Sequence, residues 1–194
     1  HLHADDLLDQ MQVDPPTLSL GVPTIWLTMI QNVEANPGRW KLPAGMRSLV
    51  GGSAVPESLI RVFAKHGILI KQAWGMTETS PMATMAYPKA ELAHISENEH
   101  FARLAMQGIP VPLVDVRIVG ESGECAWNGK DVGELQVRGP YITGSYHDVE
   151  RDPEKFTDDG WLRTGDVASA DAYAYVRLSD RTKDLDSRSV IVEN

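Results

Sequence analysis

The chain has one cysteine, Cys125, among 194 residues, so no disulfide forms within it. Such sparing use of thiols suits a reducing compartment, and a cytoplasmic protein is expected. The neighbours of Cys125 in Gly123-Glu124-Cys125-Ala126-Trp127 supply no base or cation. An unactivated thiol is inert. Positive charge is also short, with 18 Lys and Arg against 27 Asp and Glu, a formal charge of −9 and a pI near 5.1. Nucleic-acid binding depends on a basic patch that neutralises phosphates, so that class is excluded. A small nucleotide site is not, because local dipoles and a bound cation govern such sites. No apolar run approaches the roughly 20 residues of a membrane-spanning helix. The acidic opening His1-Leu2-His3-Ala4-Asp5-Asp6 does not read as a secretory signal. The six histidines show no metal-ligand spacing, and there is no Gly-x-Ser-x-Gly elbow or Gly-x-Gly-x-x-Gly loop.

The remaining composition, 42% hydrophobic and 23% charged, is that of a globular protein. Strand and helix patterns alternate in the first half. Helices are expected over 4–11, from Pro23 to about Glu34 and from Pro56 onward, and strands over 17–21, 47–50 and 68–74. Pro23 suits a first helical turn, and Gly67 suits a helix C-terminus. This order predicts an α/β fold with a parallel βαβ sheet and helices on its faces. Beyond Pro88 the texture changes. A polar helix over 97–106 precedes short strands over 113–119, 133–138 and 173–178, a pattern that predicts a smaller antiparallel or distorted β-barrel unit. The expected division is 1–90, 91–180 and a last segment, 181–194.

Three stretches carry chemistry. Gln72-Ala73-Trp74-Gly75-Met76-Thr77-Glu78-Thr79 opens from a strand into a hydroxyl beside a carboxylate. A hydroxyl there can serve a phosphate and the acid its magnesium, which one or two carboxylates and substrate phosphates usually hold. Taken alone, the run reads better as a solvated strand-end turn. Trp161-Leu162-Arg163-Thr164-Gly165-Asp166 reads as a second acid-bearing loop, and Asp180-Arg181-Thr182-Lys183-Asp184 follows it. A carboxylate such as Asp166 accepts two adjacent ribose hydroxyls at once. Gly51-Gly52-Ser53-Ala54 offers small residues after a strand, where a flat base or acyl chain can approach the backbone.

These stretches, with Gly133-Glu134-Leu135-Gln136-Val137-Arg138-Gly139 and Gly144-Ser145-Tyr146, occur in an order that resembles the acyl-adenylate-forming, AMP-binding superfamily. That superfamily includes acyl-CoA synthetases, luciferases and peptide-synthetase adenylation domains. The likeness runs from Leu7 to about Leu185 and is greatest to medium- and long-chain fatty acyl-CoA synthetases. Gly108-Ile109-Pro110-Val111-Pro112-Leu113 and Gly139-Pro140-Tyr141-Ile142-Thr143-Gly144 favour that branch over aryl-CoA ligases. The resemblance implies a partial large N-terminal domain and an ATP- and Mg2+-dependent reaction that activates a carboxylate to acyl-AMP. Transfer to coenzyme A would follow, with a fatty acid as the expected substrate.

The resemblance also implies residue roles. Thr77 and Glu78 serve the phosphates, with Glu78 on magnesium. Asp166 and Arg181 hold the ribose, and Lys183 is a hinge. Gly52, Ser53 and Ala54 border the adenine and acyl pockets, Trp74 packs near the base, and Gln72, Gly75 and Met76 complete the nucleotide-binding set. The family's phosphate loop with its lysine is expected before residue 1, and its C-terminal domain with a second lysine after residue 194. An internal fragment with little ligase activity of its own is therefore expected, and an oligomer is compatible with it. After Leu185 the sequence departs from the family's Gly-Gly loop near the pantetheine path, and Asp171-Ala172-Tyr173-Ala174-Tyr175 lacks an expected glycine turn. Two other readings stay open, another ligase of the superfamily (an aryl-CoA ligase or a carrier-protein adenylation domain) and a non-catalytic nucleotide-binding remnant.

Overall fold

The computed structural model describes residues 3–181, the last two by backbone alone. Lys183 and the unusual segment after it lie outside the described residues. The fold is α/β. The chain divides into two compact units, His1–Trp74 with Ala86–Ala105, and Gly75–Met85 with the described residues from Met106 onward. It therefore passes between units three times, where the sequence suggests one main boundary near residue 90.

The first unit contains α1 (Ala4–Val13), β1 (Leu18–Gly21), α2 (Pro23–Ala35), β2 (Arg47–Val50), α3 (Glu57–Lys65), β3 (Leu69–Trp74) and α4 (Glu97–Leu104). β1, β2 and β3 pair in parallel, with Leu20 opposite Leu49 and Leu49 opposite Lys71. The alternation of strand side chains sends Ser48, Val50, Ile70 and Gln72 to a buried face. There Val50 and Ile70 join a core with Leu8, Trp26, Met29 and Phe63 from the helices. Trp26 meets Phe63 edge-on at 5.6 Å. The other face shows Leu18, Leu20 and Leu69 exposed.

Pro23 does stand in the first turn of α2. Gly67, at φ +74°, closes α3. Its N–H donates to the Ala64 carbonyl, and the next N–H, of Ile68, donates to the Phe63 carbonyl at 3.0 Å. Ile68 and Phe63 are both fully buried in the same core, so this glycine turn delivers the chain directly into β3. The helix expected over 97–106 ends at Leu104 and belongs to this first unit. Ser96 and Glu99 cap it reciprocally, and the Ser96 hydroxyl and then the Ser96 N–H, both donating to the Glu99 carboxylate, lower the Glu99 pKa. The helix joins α3 because Phe101 and Leu104 bring apolar surface to its core, with the Arg61 guanidinium 4.3 Å over the Phe101 ring.

The second unit contains β4 (Thr84–Met85), β5 (Ile109–Pro110), β6 (Asp115–Gly120), β7 (Gly123–Glu124), β8 (Gly133–Arg138), β9 (Leu162–Ala170) and β10 (Val176–Arg181). β4 pairs antiparallel with β5. The other five form one antiparallel sheet in the order β10-β9-β8-β6-β7. Ile118, Leu135, Val137, Leu162, Ala168 and Val176 are almost fully buried. The stretch from Trp161 to Asp166 is not a loop. From Leu162 it forms the first half of β9, because Leu162, Thr164 and Val167 each find a buried seat beside β8.

Two guanidiniums stand over the Trp161 ring, Arg117 at 4.4 Å and Arg138 at 4.6 Å from its centroid. Arg117 also holds Asp159 in a fork, at 2.7 and 3.1 Å. Hydrogen bonds from Arg117 and then Thr157 lower the Asp159 pKa from 3.8 to about 2. The unfolded carboxyl takes up its proton first as pH falls. The contribution of Asp159 to stability is thus complete above the unfolded pKa and is lost as pH falls through the folded one.

β10 begins at Val176, three residues later than the sequence suggests. Residues 171–175 form a turn in which Asp171 Oδ1 accepts the N–H groups of Tyr173 and Tyr175. Ala174 stands there at φ +69°, where glycine is usual. Ala174→Gly should raise the unfolding free energy by about 0.5–1 kcal/mol, because the left-handed penalty on a Cβ outweighs the added freedom of the unfolded glycine. Urea titration measures it. Asp159→Asn should be less stable than wild type at neutral pH, with the difference closing between about pH 4 and pH 2. Acid unfolding of the two chains side by side reads that convergence.

Candidate functional site

In the second unit, Gly75 leads into a single 3-10 turn, Thr77–Thr79. A Cβ on Gly75 would stand 2.0 Å from the Pro81 carbonyl oxygen, 2.7 Å from Thr79 Oγ1 and 2.8 Å from Met82 Cα. Only glycine permits that approach. The fully buried Thr79 locks the turn by accepting the Met76 N–H at 2.9 Å. Thr77, between these fixed points, is exposed.

Glu78 is held at two places. Its backbone carbonyl accepts the Thr143 N–H at 2.8 Å. Its carboxylate Oε1 accepts the Tyr146 hydroxyl at 2.6 Å. Donation to Glu78, followed by partial burial, raises the Tyr146 pKa. Neither Thr143 nor Tyr146 is a site residue by sequence reasoning. The only signal for Tyr146 was its place in the Gly144-Ser145-Tyr146 motif.

The carboxylate of Asp166 sits on an irregularity in β9. Glu134 pairs with Val167 and Gln136 with Arg163, so Leu135 of β8 faces three residues of β9, Thr164, Gly165 and Asp166. Gly165 takes φ +74° at this bulge. Buried Thr164 closes it, donating its hydroxyl to the Leu135 carbonyl at 2.7 Å and accepting the Asp166 N–H at 3.1 Å. Bulges re-aim side chains and are common beside active sites. On the other side, Asp166 is the backbone register partner of Arg181 in β10.

Gly52, Ser53, Ala54, Gln72 and Trp74 belong to the first unit. The loop of Gly52, Ser53 and Ala54 is exposed, with Gly52 at φ +87°. Gln72, only 1% exposed, accepts the Val55 N–H at 2.6 Å on its side-chain oxygen and donates its amide to the Ala105 carbonyl at 3.4 Å. Its side chain thus clamps the end of that loop to β3. Trp74, half-buried, ends the strand.

Among the described residues, no group of three or more His, Cys, Asp or Glu side chains could enclose a metal. Magnesium shared with phosphates needs fewer protein ligands. Glu78 fits that demand, because Tyr146 occupies only one of its two carboxylate oxygens.

The family described as AMP-binding enzyme matches residues 1–147. The chain belongs to that family. It is 42% identical over 171 residues to a long-chain-fatty-acid–CoA ligase of Thermus thermophilus, covering 87% of this chain and 31% of the relative. It is 35% identical over 186 residues to a 3-methylmercaptopropionyl-CoA ligase of Ruegeria lacuscaerulensis, covering 95% of this chain and 34% of the relative. That span is long enough to run through Asp166. The chain thus spans about a third of the length of these curated relatives. In fold it is similar to the crystal structure of a long-chain-fatty-acid-CoA ligase from Archaeoglobus fulgidus, with a TM-score of 0.73 at 22% identity, over 98% of this chain and 39% of that one. The turn of Thr77–Thr79 depends on a missing side chain. Gly75→Ala should cost about 3 kcal/mol or more of stability through overpacking against Pro81 and Thr79, as measured by urea unfolding.

Proposed function

We propose that this chain forms the adenylate-holding part of a fatty acid–CoA ligase, an acid–thiol ligase that uses ATP and magnesium. Membership of the AMP-binding enzyme family and the likeness to a long-chain-fatty-acid–CoA ligase support this reading. The observation that carries it is the bulge that sets Asp166 apart from the regular pairing of β9, in register with Arg181. Bulges re-aim side chains and are over-represented next to active sites.

In the reaction, a carboxylate oxygen attacks the α-phosphorus of ATP, the bond to the β-phosphate breaks, and pyrophosphate leaves. The thiolate of coenzyme A then attacks the acyl carbon, and AMP departs with the bonding electrons. Neither step requires a covalent bond to the protein, so its contribution is positioning and charge stabilisation. The Thr77 hydroxyl donates to a phosphate oxygen. Glu78 holds the magnesium, which neutralises phosphate charge when bound. Asp166 accepts the two ribose hydroxyls, with Arg181 beside it and Lys183 as the hinge. Trp74 and the loop of Gly52, Ser53 and Ala54 border the base and the acyl chain. Gln72 acts through that loop, since protein groups engage both ends of its amide. Gly75 and Met76 shape the turn. The single thiol suits a cytoplasmic setting.

A non-hydrolysable acyl-AMP analogue should raise the unfolding temperature of the chain, and Asp166→Ala should abolish the rise. Ligand at ~100 times its dissociation constant adds roughly 2.7 kcal/mol to the folded state. Folded wild type that ignores the analogue would overturn the reading. An equal rise in Asp166→Ala would move the ribose contact elsewhere.

A further inference from the structure

We propose that Tyr146 positions the carboxylate of Glu78 for a divalent cation, setting which oxygen faces the metal. The inference rests on the reading of Glu78 as the magnesium ligand. Thr143 fixes the main chain of Glu78, and Tyr146 fixes its side chain by donating to Oε1 at 2.6 Å. With Oε1 engaged by Tyr146, Oε2 is the carboxylate oxygen left for a cation. Magnesium requires a near-ideal octahedral shell and sheds water reluctantly, so one oriented carboxylate oxygen suits it better than a swinging pair.

The tyrosine is itself well placed for this task. Its ring packs edge-on against Phe156, with centroids 5.8 Å apart, and Phe156 is only 3% exposed. A stiff aromatic ring seated on a buried neighbour delivers its hydroxyl with little freedom to lose. Tyr146 is 41% exposed, so its hydrogen bond lies near solvent and contributes little to folding. That combination, a short bond on a rigid donor with little structural return, is what a ligand-orienting partner requires. The outer partners of metal ligands typically change metal affinity by about 10–100-fold when removed.

The test compares wild type, Tyr146→Phe and Glu78→Gln. Mn2+ replaces Mg2+ as a paramagnetic probe and is titrated into chain saturated with ATP, while free Mn2+ is followed by electron paramagnetic resonance. Thermal unfolding and affinity for the acyl-AMP analogue without metal are recorded for each chain. Tyr146→Phe should bind Mn2+ about 10-fold or more weakly, with its unfolding temperature and its metal-free analogue affinity unchanged. Glu78→Gln should lose the protein-dependent Mn2+ site. Wild-type Mn2+ affinity in Tyr146→Phe, alongside its loss in Glu78→Gln, would overturn the proposal and leave Glu78 as the ligand. Wild type that binds the analogue but holds no Mn2+ would remove the metal role of Glu78, and the proposal with it, while the adenylate site stands.

Discussion

The turn that carries Thr77 and Glu78 exists because one position has no side chain. At Gly75 the Pro81 carbonyl, the Thr79 hydroxyl and the Met82 backbone crowd the volume a methyl group would fill. Such closeness lets Thr79 bury itself and bond the Met76 backbone. It leaves the two residues between them presented on a tight, fixed arc. The Thr143 amide and the Tyr146 hydroxyl then reach Glu78 from a segment about 65 residues away in sequence. This turn is thus held by backbone proximity rather than by a surrounding apolar core.

Much of the first unit was legible in the sequence, and the physical reasons are specific. Pro23 and Gly67 announce a helix start and a helix end through backbone preferences that tertiary context seldom overrides. The apolar positions of α3 repeat with helical period, and the strands that alternate with the helices are short and apolar. The second unit was less legible. β9 was hidden because Thr164, Gly165 and Asp166 form a turn-like triplet, and the strand continues through them only by bulging. β4, β5 and β7 are two residues each, too short to show any period. The turn before β10 has Ala174 in a conformation that local preference would give to glycine.

The same contrast divides the site. The candidate residues Glu78 and Asp166 and the Gly52-Ser53-Ala54 loop stand out in the sequence because small residues beside acids or hydroxyls form recognisable strings. The contacts that hold them do not. Gln72 is expected in the nucleotide-binding set, yet its buried amide fastens the loop end through Val55. Tyr146 lies far along the chain from its carboxylate partner, and no local pattern links them. Supporting contacts of this kind depend on side chains meeting across the fold, information that is spread over distant parts of the sequence.

The bulge in β9 has one more consequence. In a regular strand, a change of register reverses the inward and outward sides for its whole length. Here the strand is interrupted at Thr164, Gly165 and Asp166, and pairing resumes on each side with its own alignment to β8. Leu162 on one flank and Val167 and Ala168 on the other keep their buried seats independently. The bulge acts as an expansion joint, setting Asp166 off from the regular ladder while the hydrophobic halves of the sheet on either side keep their own pairing.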